Sequence, residues 1–134
     1  MLPLRYPLRW QAAGIVILLA GLLLALAPIV IPWFGGVGPG IPELDKWLHG
    51  VVFLLLALWF TGQYARRRYI VILVALAGYG MLIEIGQSMI PYRTAEWGDL
   101  VADCIGILAG VLVALTLTGG WSLRAEAWFE KRFG

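Results

Sequence analysis

The sequence predicts an all-α protein embedded in a membrane, and three observations carry that prediction. The 134 residues are 61% hydrophobic and only 13% charged, with a mean hydropathy of +0.86, far above what a soluble domain carries. Four apolar runs approach the roughly 20 helical residues needed to cross a bilayer. The basic residues fall in short clusters beside those runs, where they orient a chain in a membrane, and the net charge of +2 is too small to suggest a nucleic-acid partner. Helix is the state expected of each run, because an open strand in lipid leaves backbone groups without partners. The expected architecture is a single domain over residues 1–134, an integral four-helix bundle with both termini cytoplasmic.

The first helix is expected over about 11–33, within the run Ala12 to Phe34. Arg5 and Arg9 precede it, and "ALAP" at Ala25 to Pro28 imitates a signal-peptide cleavage site. A proline after the cut and the continuing "IVIPWF" favour a retained helix, kinked at Pro28, which lacks the helical N–H. "GGVGPG" at Gly35 to Gly40 is a turn-rich loop with no lysine or hydroxyl residue, so it is not a nucleotide site. Helix two is expected over about 46–64 and helix three over about 69–90, with Arg66, Arg67 and Arg68 between them. Helix four is expected over about 99–118, where Gly106 and Gly110 form a G-x-x-x-G suited to close helix packing. The tail at 120–133 sets Trp121, Trp128, Phe129 and Phe133 among charges, the pattern of a short amphipathic interfacial helix. Arg5, Arg9, Arg66 to Arg68, Arg124, Lys131 and Arg132 then share the cytoplasmic side. The single Cys104 excludes an intramolecular disulfide, and the absence of asparagine excludes a glycosylation sequon.

Against this background the stretch from Gly78 to Gly106 is anomalous, since it gathers Glu84, Gln87, Arg93, Glu96, Asp99 and Asp103. Asp45, Lys46 and His49 fall at the same expected membrane face. Ionisable groups inside a bilayer cost about 2.5–3.5 kcal/mol each on insertion scales, so they turn toward partners or a wet cavity. Asp45 and His49 are four apart, Glu84 and Gln87 three apart, Asp99 and Asp103 four apart, so each pair shares a helix face. Asp45 and Asp99 are also placed to cap the helices that follow them. Lys46 and Arg93 can snorkel to the surface or pair with those acids.

In "LDKWLHGVVF", "EIGQ", the Pro91-x-Arg93 turn and Asp99, Asp103, Gly106 and Gly110, the chain resembles the VanZ-like family of small bacterial membrane proteins. The resemblance covers helices two to four. Asp103 departs from it, standing where many members carry asparagine. It implies residence in the bacterial cytoplasmic membrane, an outward-facing site, and a link to susceptibility to the glycopeptide teicoplanin. It implies no defined activity.

The residues then support three readings. In the first, Asp45, Lys46, His49, Glu84, Gln87, Arg93, Asp99 and Asp103 bind an anionic membrane lipid or lipid-linked envelope precursor, with Lys46, His49 and Arg93 receiving the head group. In the second, an intramembrane hydrolase or transferase uses His49, Glu84 and Asp103 as acids and bases. In the third, the cluster is structural and serves a membrane complex, with a membrane-protein partner or a homodimer formed through Gly106 and Gly110. No cofactor is expected, and a metal is set aside because the chain has one histidine.

Overall fold

The structure, a computed structural model, describes residues 1–26, 44–91 and 96–133, the side chains of residues 44 and 45 excepted. Among the described residues it is all-helical, with five α-helices and no strand. They are α1 (Pro7–Leu26), α2 (Leu44–Gln63), α3 (Tyr69–Ser88), α4 (Trp97–Val113) and α5 (Trp121–Phe133). A 3-10 turn at Arg66–Arg68 leads into α3, and a π-helical turn at Ala114–Thr118 prolongs α4. Pro28, the glycine-rich loop and Arg93 lie outside the described residues.

Among the described residues, three segments are long and apolar enough to cross a membrane: Pro7–Leu26, Arg66–Ser88 and Trp97–Thr118. The α2 helix has the same 20-residue length as α1 but opens on Asp45, Lys46 and His49. Most of the large apolar side chains on these helices face outward, among them Leu19, Leu23, Val74, Leu82, Val101 and Leu112. A continuous apolar surface of that extent is stable against lipid and prone to aggregate in water.

Several expected boundaries differ from those observed; α1, for one, starts at Pro7 and not near residue 11. The α4 helix starts at Trp97, with Glu96 as its N-cap residue, so Asp99 lies inside the first turn and does not cap it. Asp45 likewise lies inside α2, which starts at Leu44. Asp99 remains where the positive end of the helix dipole favours a carboxylate. Regular α-helix also ends at Val113, five residues before the apolar run does, because the Thr116 hydroxyl donates to the Leu112 and Val113 carbonyls while the backbone widens to π.

Packing follows from the small residues. Among the described helices, the α2–α4 contact is the most extensive. At its centre Gly106 lies against the backbone carbonyl of Gly50, and a Cβ at Gly106 would collide with that oxygen. One turn on, a Cβ at Gly110 would stand 2.7 Å from both Ala57 Cβ and the Leu54 carbonyl. The G-x-x-x-G pair is therefore used within the chain, and it sets α2 and α4 side by side in parallel. Helices α1 and α3 run the other way: Tyr79 donates to the Leu18 carbonyl at 2.7 Å and Gln87 to that of Ala25 at 3.1 Å. Phe53, Leu56, Ala57, Ile72, Leu76, Ile83 and Ile107 fill the space between helices.

The N-terminal residues and α5 close one end. Trp10, Trp59 and Trp121 meet with ring centroids 5.4–5.7 Å apart. Trp121 donates to the Leu58 carbonyl at 2.8 Å, and Ser122 donates to that of Gly62. The amide of Leu2 donates to the Gln63 carbonyl at 2.8 Å. Each bond ties the end of α2 to a segment distant in sequence, and those to Gly62 and Gln63 satisfy last-turn carbonyls that have no partner within the helix.

Candidate functional site

The opposite end carries the polar cluster, and the glycine contacts place it. Since Gly106 sits on Gly50, the residue before Gly50 and the residue one turn before Gly106 must face each other. These are His49 and Asp103, and His49 Nδ1 lies 2.9 Å from Asp103 Oδ1. Asp103 is 0% exposed. Its other oxygen, Oδ2, packs toward α3 at Gly80, where a Cβ would come within 2.7 Å of it. On the far side of the imidazole, His49 Nε2 is 3.9 Å from Asp99 Oδ2. The ring is thus held between two carboxylates of α4, one turn apart.

Helix α3 adds Glu84. Its Oε2 accepts the Glu96 backbone N–H at 3.1 Å, so a side chain from one helix satisfies an amide at the start of another. Glu84 is 9% exposed, and its second oxygen, Oε1, is buried with no hydrogen-bond partner among the described residues; the same holds for Asp103 Oδ2. Such atoms are rare and costly when they belong to carboxylates. One donor atom each from His49, Glu84 and Asp99 lie within 4.8 Å of one another.

Lys46 completes the rim, its Nζ donating to Glu96 Oε2 at 3.3 Å. Its aliphatic stem lies over Gly98, where a Cβ would stand 2.6 Å from Lys46 Cε. Below the rim, a cavity of about 200 Å³ opens between α3 and α4, lined by Met81, Glu84, Ile85, Ser88, Glu96, Trp97 and Leu100. It has acids at one side and apolar walls at the other. A larger cavity, about 480 Å³, lies among Leu18, Phe60, Tyr64, Arg68, Ile72 and Tyr79, away from the acids.

The structure therefore brings His49, Glu84, Asp99 and Asp103 together with Lys46 beside them. Gln87, though 2% exposed, has its amide nitrogen committed to the Ala25 carbonyl of α1. Arg93 and the Asp45 side chain lie outside what is described. Glu96 was missed by sequence reasoning as a site residue, although it gives its amide to Glu84 and accepts from Lys46. Its position three residues before Asp99, at a helix start, was the available signal.

A family model described as VanZ/LLP1 matches residues 7–118. The chain belongs to the VanZ/LLP1 family. No curated protein matches it, and no solved structure does. The match takes in all four long helices of this VanZ/LLP1 chain, including every residue of the cluster, and stops before α5. With its apolar helices, the family assignment makes it a membrane protein.

Chemically, the cluster can do three things. It can hold and pass a proton along Asp99, His49 and Asp103; it can present carboxylates to sugar or peptide donors; and it can hold a cation. A structural role is also served, since the His49–Asp103 contact bridges α2 and α4.

Proposed function

We propose that this VanZ-like protein spans the bacterial cytoplasmic membrane as a four-helix bundle with cytoplasmic termini. In this reading α5 lies in the interface and the polar cluster opens outward to take the head group of an anionic, lipid-linked envelope precursor. The observation that carries this is the cavity between α3 and α4, with Glu84 and Glu96 at one side and Met81, Ile85, Trp97 and Leu100 along its walls. A head group that offers hydroxyl or amide donors suits the acids, and the chain behind it suits apolar walls that continue into lipid. Lys46 at the rim, with Arg93 between α3 and α4 in the sequence, supplies positive charge for a phosphate. Exposed Trp128, Phe129 and Phe133 on α5, beside Arg124, Lys131 and Arg132, suit an anionic inner leaflet. Binding or moving such a precursor would connect the protein to teicoplanin susceptibility.

Native mass spectrometry of gently extracted protein tests this reading. An anionic polyprenyl-linked species should accompany the wild type and be depleted in Lys46→Ala and Arg93→Ala, both of which should retain the helical fold. Lipid carriage that is unchanged in both variants would count against it.

A second reading is favoured by one specific contact. His49 oriented by Asp103 at 2.9 Å is an arrangement that general-base catalysis uses. If the protein is an intramembrane hydrolase or transferase, purified wild type should convert an envelope lipid and His49→Gln should not.

A further inference from the structure

We propose that His49, Glu84 and Asp99 form a binding site for a divalent cation of the first transition series, zinc or manganese, with Asp103 as the group that aims the imidazole. The sequence argued against a metal because there is a single histidine, but one imidazole and two carboxylates from three helices make a sufficient donor set for such ions. One donor atom from each lies within 4.8 Å of the others. Two donors on one ion, each at roughly 2.0–2.2 Å, lie about 3 to 4.4 Å apart, so small side-chain adjustments close the site.

Two independent observations point to an ion. The first is Glu84, nine-tenths buried, with Oε2 fixed by the Glu96 amide and Oε1 buried without a partner. A carboxylate oxygen held in that state is poorly compensated by protein alone. The second is the outer shell. In the neutral tautomer that donates from Nδ1 to Asp103 Oδ1 at 2.9 Å, Nε2 presents its lone pair on the side of Asp99. A carboxylate behind a histidine that faces other acids is the arrangement by which metal-binding histidines are oriented and made more basic. Asp103 itself is wholly buried. The ion would also remove a difficulty in the amphiphile reading, because three buried acids repel a phosphate until a cation stands between them. The inference does not depend on that reading, since the ion is assayed with no lipid added.

The test uses the full-length chain without a histidine tag, stripped with chelator and returned to nanodiscs. Equilibrium dialysis against Zn2+ and EPR titration with Mn2+ should each show saturable binding of one ion per chain. Glu84→Gln and Asp99→Asn should each weaken binding at least about tenfold, Asp103→Asn by about 10- to 100-fold, and Glu130→Gln on α5 not at all. Because His49 is the chain's one histidine, imidazole nitrogen modulation in pulsed EPR of bound Mn2+ locates the ion in the wild type, even if a variant fails to fold. Absence of saturable binding of both ions by folded wild type overturns the proposal. So does a bound ion without imidazole modulation, or unchanged affinity in folded Glu84→Gln and Asp99→Asn.

Discussion

The two ends of the molecule use the same device and finish it differently. At the α5 end, Glu126 reaches across to the start of α1 and accepts the backbone amides of Arg5 at 2.7 Å and Tyr6 at 3.1 Å, together with Trp10 Nε1 at 2.8 Å. At the acidic end, Glu84 reaches across to the start of α4 and accepts the Glu96 amide. Each is a carboxylate on one helix satisfying the free amides of another, where the helix dipole favours it. Glu126 has both oxygens engaged, and Arg5 also pairs with Glu130 beside it. Glu84 has one oxygen engaged and the other buried without a partner. The α5 end does leave Trp59 Nε1 and Thr118 Oγ1 without partners among the described residues, but these are neutral groups and cost far less than a carboxylate. One end is a finished latch. The other keeps carboxylate oxygens that no described residue engages, which is what the proposed site would use.

The largest expected effect comes from breaking what both ends share, the glycine contact between α2 and α4. Gly106→Leu drives a side chain into the Gly50 carbonyl, and backbone cannot yield as a flexible side chain can. We expect a loss on the order of 3 kcal/mol, read as a lowered unfolding midpoint in a denaturing-detergent titration, with the His49–Asp103 pair disrupted as a consequence.

Next in size is a change of opposite sign. Glu84→Gln keeps an acceptor for the Glu96 amide and removes a buried carboxylate, so metal-free protein should gain about 1 kcal/mol while losing ion and lipid association. Thermal unfolding with chelator present checks this. A marked destabilisation, with no separable loss of binding, would make the acidic end structural, as the latch is.

The helices themselves were legible in the sequence because 3.6-residue geometry and bilayer thickness both act over short distances. Expected spans of about 46–64 and 69–90 stand against Leu44–Gln63 and Tyr69–Ser88. The cluster of His49, Glu84, Asp99 and Asp103 was legible for a related reason: charge within apolar runs needs no tertiary knowledge to be noticed. Its wiring was not. Helical spacing puts His49 on one face with Asp45, whose side chain lies outside what is described, but it does not name Asp99 and Asp103, from another helix, as the carboxylates that flank the imidazole. Only the register fixed by Gly50 and Gly106 decides that pairing, and register leaves no periodic trace. The latch was invisible because its partners, Arg5 and Glu126, are 121 residues apart.

A smaller effect sharpens the latch side. Trp121→Phe keeps an aromatic ring against Trp10 and Trp59 but deletes the donor to the Leu58 carbonyl. The cost should be about 1 kcal/mol, the ordinary net value of one such bond, seen as a lowered thermal midpoint with ion binding intact. If ion affinity falls as well, the two ends are coupled through α2 and cannot be treated as separate devices.

The smallest effect is electrostatic and depends on pH. Burial acts to raise the pKa of Glu126, but the amide of Arg5, the indole of Trp10 and the amide of Tyr6 outweigh it and hold the carboxyl below its ordinary value of 4.5. The folded chain therefore binds that proton less readily than the unfolded chain does. The stability Glu126 contributes is complete above the ordinary value and is lost as pH falls through the lower, folded value. The side chain is partly open to solvent, so screening keeps the contribution under about 1 kcal/mol. Thermal midpoints of wild type and Glu126→Gln between pH 6 and pH 3 should show the wild type ahead at pH 6 and the gap closing in acid. Other carboxylates titrate over the same range, but they are common to both proteins and cancel in the difference. A gap that stays constant to pH 3 would mean that shape alone, without charge, holds the N-terminal residues to α5.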